Sequence, residues 1–88
     1  MPEISRFYGI IIYMYLKDHN PPHFHAKYND FQITISIDNF AILNGKLPSK
    51  ALALVIEWAS IHQEELLENW KSLSNSDNGT YNKIEPLN

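Results

Sequence analysis

Between His23 and Asp38 apolar and polar side chains alternate with a period of two. Phe24, Ala26 and Tyr28, then Phe31, Ile33, Ile35 and Ile37, fall on one face, with polar residues between them. That period marks strands with one buried face. Asn29 and Asp30 interrupt it, and both tolerate the positive φ that a type I′ turn demands, so the segment reads as a hairpin. The register then pairs Tyr28 with Phe31, Phe24 with Ile35, His25 with Thr34 and His23 with Ser36. Both histidines are expected on the solvent-facing side, opposite the core face.

The flanking segments extend the hairpin into a meander. Ile4 to Leu16 is apolar or aromatic on both parities, the pattern of a central strand covered on both faces. Gly9 inside it reads as a bulge or a close backbone approach. Lys17 to Pro22 forms the loop into the hairpin. A second tight turn at Asp38 and Asn39 is expected to return Phe40 and Ile42 to the core face, in a short strand ending near Asn44 and Gly45.

After Pro48, which suits a first helical turn, the period changes. Leu52, Val55, Ile56 and Ala59 recur at helical spacing, and Ala51, Leu54, Trp58 and Ile61 make a second apolar edge that a partner or a second helix would cover. One helix running to Leu73 would be about 39 Å long at ~1.5 Å per residue, too long for so small a domain, so a break is expected near Ser60. Ser60 and Gln63 match a capping box, Glu64 and Glu65 favour the start of a new helix, and Leu66, Trp70 and Leu73 anchor it. Asn75 to Asn82 is a polar loop. Lys83 to Leu87 could dock as a short edge strand, since Pro86 excludes a central one. The expected fold is α+β: a single domain over residues 1–88, with a four-stranded, mostly antiparallel meander (4–45). Two C-terminal helices (48–74) cover one face, and a polar loop and tail (75–88) leave room for a short fifth edge strand.

Composition narrows the function classes. With 88 residues, 44% hydrophobic and 19% charged, the chain suits one small globular core. It has no cysteine, which excludes disulfides and thiolate metal sites and suits a reducing cytoplasm. The start MPEISRF lacks the features of a signal peptide, and no apolar run is long enough to cross a bilayer. A cytoplasmic location is therefore expected. The net charge of −3 is uneven: residues 1–47 carry four basic and four acidic side chains, residues 48–88 three and six. Broad electrostatic capture of nucleic acid is excluded, whereas a local RNA site on the neutral half is not.

The run Asp18 to His25, DHNPPHFH, holds three of the four histidines around two prolines. On one strand face His23 and His25 stand about 6.6 Å apart along the backbone, close enough to act on one atom. His19 could join them across the proline-stiffened loop, and Asp18 could orient a ring or accept a proton. Two chemistries follow. Metal-free acid–base catalysis, as in RNA cleavage through the 2′-hydroxyl, would use His25 as base and His23 as acid, with Tyr13, Tyr15 and Lys27 for base stacking and a phosphate contact and with Asp18, His19 and Asn20 as further binding residues. No cofactor is needed. Alternatively His19, His23 and His25 would ligate a metal ion such as zinc, serving a small metal-dependent hydrolase. A third, non-catalytic reading makes the histidines structural and uses Leu54, Trp58 and Ile61 to dock a partner protein or a second copy. The bland alternative for each residue is that Pro21 and Pro22 stiffen a connection, His62 packs on a helix, and Tyr13 and Tyr15 pack the sheet.

The segments ISRFYGIIIYMY, DHNPPHFHAKY, GKLP, LVIEWASIHQEELLENW and KIEPL, in that order, resemble the bacterial domain-of-unknown-function family 4160. The matching positions are Ile4 to Phe7, Asp18 to His25, Gly45, Leu47 and Pro48, and Trp58, Glu65, Leu66 and Trp70. The polar stretch 75–82 departs from the pattern. The resemblance implies a cytoplasmic prokaryotic protein encoded beside a second small protein, an arrangement like a toxin–antitoxin pair. It supplies no catalytic residues. The leading expectation is thus a toxin-like component of a two-protein module whose sheet face binds or cleaves RNA.

Overall fold

The computed structural model describes residues 2–75 and 79–88. Five strands form one antiparallel meander in sequence order: β1 (Glu3–Phe7), β2 (Ile10–Tyr13), β3 (His23–Tyr28), β4 (Phe31–Ser36) and β5 (Ile42–Gly45). Two helices follow, α1 (Ser49–Ile61) and α2 (Gln63–Asn75). This is the expected α+β architecture, with five strands in the sheet.

The β3–β4 hairpin has the predicted register throughout, from Tyr28 opposite Phe31 to His23 opposite Ser36. At the turn Asn29 takes positive φ (53°) but Asp30 does not, so the register is the expected one without the type I′ geometry. The first apolar segment behaves differently from its reading as one long strand. It folds back at Tyr8 and Gly9, both at positive φ (50° and 80°), as a two-residue hairpin turn requires. Gly9 is therefore a turn residue and not a bulge. The additional strand arises here, because residues 4–13 supply two strands.

The tail from Lys83 to Leu87 forms no strand. It is strapped to the edge of β1 by Ile84 N–H donating to the Ile4 carbonyl (2.9 Å) and to α1 by Trp58 Nε1–H donating to the Glu85 carbonyl (2.8 Å). Buried Asn69 holds the backbone of Asn82 through both ends of its amide. Of the expected polar loop, residues 76–78 lie outside the described residues.

The core is the face bearing Ile10, Ile12, Phe24, Ala26, Ile33 and Ile35, closed by Val55, Trp58 and Ala59 of α1 and Leu66, Trp70 and Leu73 of α2. Trp58 is fully buried against Phe7 and Phe24, so it fills the core and offers no edge to a partner. Of the other two residues expected at a docking edge, Leu54 is half-buried and Ile61 is exposed. Phe40 packs partly against the core, but Ile42, although paired with Ile35, is 51% exposed. Strand β5 is the sheet edge, and the helices do not cover it.

The helix break falls at His62, two residues later than predicted. Ser60 does not cap α2; its hydroxyl donates to the Glu57 carbonyl in the preceding turn. Gln63 instead ties the start of α2 to the β4–β5 connection by donating to the Ile37 and Asp38 carbonyls. Among the described residues no helix is long and apolar enough to cross a membrane.

Candidate functional site

On the face away from the helices, β-pairing aligns Tyr13, His25, Thr34 and Asn44 in one row across β2 to β5. Next to it runs the row of Arg6, Ile11, Lys27 and Gln32, in which Lys27 is exposed. His23 and His25 do emerge side by side on this face, with ring centroids 5.1 Å apart. Neither is solvent-facing as expected. The side chains of His23 and His25 keep 10% and 15% of their surface exposed.

The cover has an identifiable origin. Helix α2 reaches the β2–β3 loop, where the Lys17 N–H donates to the Leu73 carbonyl, and this brings the Trp70 ring within 4.9 Å of the His23 ring. His25 is stacked on Tyr13 (5.1 Å, 16° between planes) and met edge-on by Tyr15 (4.9 Å). Tyr13 is buried, whereas Tyr15 is 44% exposed and forms the outer lip.

Asp18 closes the cluster. Its Oδ2 lies 2.8 Å from His23 Nε2 and 3.3 Å from His25 Nε2, while its Oδ1 accepts the His19 backbone N–H at 2.9 Å. The remaining ring nitrogens are also engaged: His23 Nδ1–H donates to the Pro21 carbonyl (2.7 Å), and His25 Nδ1 meets the Thr34 hydroxyl (3.1 Å). The peptide bond before Pro21 is cis, and the carbonyl that follows it is the one facing His23. The imidazole of His19 stays exposed outside the cluster, so the third group beside the two histidines is Asp18 and not His19. Asn20 is also exposed. His62, at the helix break, pairs with Glu65 (2.6 Å) away from this site.

Electrostatics follow from these contacts. At His25, burial outweighs the carboxylate of Asp18 and holds the imidazole below its ordinary value, with His23 pushing the same way. At Asp18, burial acts to raise the carboxyl, but the His19 N–H and the two imidazoles prevail and hold it below the ordinary range. Burial lifts the Tyr13 phenol, and Tyr15 adds to that. The site is therefore a desolvated carboxylate between two rings, roofed by aromatics. Beside it a cleft of about 130 Å³ is lined by Tyr13, His25, Gln32, Thr34 and Asn44.

Residues 9–71 match the model of a domain of unknown function, DUF4160. The chain belongs to the DUF4160 family. No curated protein and no solved structure matches it. The matched span of this DUF4160 domain includes every residue of the cluster together with Thr34 and Trp70. Sequence reasoning set Thr34 opposite His25 without giving it a part in the site, and it missed Trp70 as a neighbour of His23. The His25–Thr34 register pair contained the signal for the first; nothing local signals the second.

Proposed function

We propose that this DUF4160 protein is the toxin-like member of a two-protein bacterial module, working in the cytoplasm on RNA at the Asp18–His23–His25 cluster. The observation that carries the reading is the pairing of a desolvated carboxylate–imidazole cluster with the exposed Tyr15 lip, on the sheet face opposite the apolar core. Single-stranded RNA is bound by aromatic stacking with a nearby cation, and Tyr15 and Lys27 offer one of each on this face. The overall charge of −3 disfavours long duplexes and restricts recognition to a few nucleotides. A small protein encoded alongside would serve as its neutralising partner.

Induced expression of the chain should arrest bacterial growth. Replacing His23 and His25 together by alanine should relieve the arrest while the far-UV circular dichroism spectrum is retained, and co-expressing the neighbouring gene should relieve it too. Growth arrest that survives the double substitution in a folded protein overturns the proposal.

A further inference from the structure

We propose that Asp18, His23 and His25 bind one divalent first-row transition-metal ion through the Nε2 atoms of both histidines and Oδ2 of the aspartate. The site stands on geometry alone; only its part in RNA chemistry rests on the reading above.

The first observation is convergence. Donor atoms of the three side chains lie within 4.8 Å of one another, and each Nε2 is directed at the same carboxylate oxygen, at 2.8 and 3.3 Å. Around a tetrahedral ion with bonds of about 2.0–2.1 Å, donors stand roughly 3.3 Å apart. The observed spacings reach that value with side-chain shifts of an ångström or so.

The second observation is a shortage of hydrogen at His23. Its Nδ1 faces the Pro21 carbonyl and its Nε2 faces the Asp18 carboxylate, and both of those oxygens only accept. A neutral imidazole has one N–H to give. With that hydrogen on Nδ1, the Nε2 lone pair points at a carboxylate lone pair, and a cation is needed between them. A second proton on His23 is one such cation; a metal ion is another, and it also engages His25 Nε2, which faces the same carboxylate oxygen.

The third observation is the support behind each donor. Histidine ligands characteristically donate their other ring N–H to an oxygen, which fixes tautomer and orientation. Pro21 O plays this part for His23, Thr34 Oγ1 for His25, and the His19 N–H restrains the second oxygen of Asp18. Two imidazoles and one carboxylate, with no thiolate, suit zinc, iron(II), cobalt(II) or manganese(II) rather than magnesium or calcium, which prefer oxygen donors. Three protein ligands leave an open position. The donor side chains retain 10–20% exposure, enough for entry. A phosphate oxygen of RNA is the substrate group such a position would take, and the two rings then act as ligands instead of an acid–base pair.

The test uses the whole chain, stripped with chelator and titrated with cobalt(II) chloride, followed by visible absorption and calorimetry. One ion per chain is expected, with a dissociation constant in the micromolar range or below. Asp18→Asn and His25→Gln should each weaken binding by about 100-fold or more, and Thr34→Val by about 10-fold through the lost support of His25. His19→Gln should leave it unchanged. Binding absent from the folded wild-type protein, or undiminished in Thr34→Val and Asp18→Asn, overturns the proposal, and loss of affinity in His19→Gln overturns this ligand set. Should Asp18→Asn fail to fold, the near-isosteric Thr34→Val carries the comparison. No RNA is present, so a protein that binds cobalt but does not arrest growth refutes only the RNA reading. One that arrests growth through His23 and His25 but binds no ion refutes only the metal site.

Discussion

The two faces of the sheet are held together by different physics. The helix-covered face buries Ile10, Ile12, Phe24, Ala26, Ile33 and Ile35 against Trp58 and its neighbours, and its stabilisation grows with the apolar area removed from water, whatever the directions of the contacts. The opposite face buries polar atoms in the cluster, and each ring nitrogen there has a named oxygen beside it. Apolar packing tolerates change in shape at a graded cost. A desolvated polar cluster does not, because an atom deprived of its partner keeps the full penalty of having left water.

The contrast can be broken most forcefully at Phe24. Its ring is fully buried, so Phe24→Ala should lower unfolding stability by ~3–5 kcal/mol in urea titration, while cobalt binding by the remaining folded protein stays intact. If the two faces depend on each other more closely than their contacts indicate, binding will fall with stability.

Asp18→Asn tests the other side. The amide lacks the negative charge and one of the two acceptor oxygens of the carboxylate, and the expected loss is ~1–3 kcal/mol in the same titration. A loss near that of Phe24→Ala would mean that the cluster is a stabilising centre as well as a functional one. Thr34→Val keeps the volume and removes one hydroxyl, so a change of ~1 kcal/mol is expected. Its larger consequence lies in ligand affinity, and the ratio of the two effects measures how far this face has been built for binding. At the sheet margin, Arg6, its side chain 61% exposed, pairs with Glu3 at 2.7 Å, and Arg6→Ala should leave the unfolding midpoint where it is.

The histidine pair illustrates how much of the site could be read in advance. Period-two alternation and the Asn29–Asp30 turn place His23 and His25 on one face and pair His25 with Thr34, and the structure has that register. The rings' exposure could not be obtained in this way. Strand periodicity reports which side of a sheet a residue occupies, not what a distant helix lays over it. Trp70 reaches His23 from 47 positions further along the chain. The choice of Asp18 over His19 as third member is a matter of loop geometry, set by the backbone around Pro21 and Pro22 and not by any repeat.

Tyr8 and Gly9 show a different shortfall. An apolar run on both parities is compatible with one long covered strand or with two strands joined by a tight turn, and side-chain patterning does not distinguish them. A single glycine at positive φ, with Tyr8 also left-handed beside it, was enough for the chain to reverse.

The amino-acid order alone determined the α+β class, the β3–β4 register, the helical stripes and the shared face of the two histidines, because each follows from spacing along a few consecutive residues. Only the tertiary structure decided that β1 and β2 are separate strands, that Trp58 belongs to the core, that Trp70 and Tyr15 enclose the rings, and that the carboxylate of Asp18 lies between them. Those outcomes depend on which surfaces, remote in sequence, compete to bury the same area and satisfy the same polar atoms.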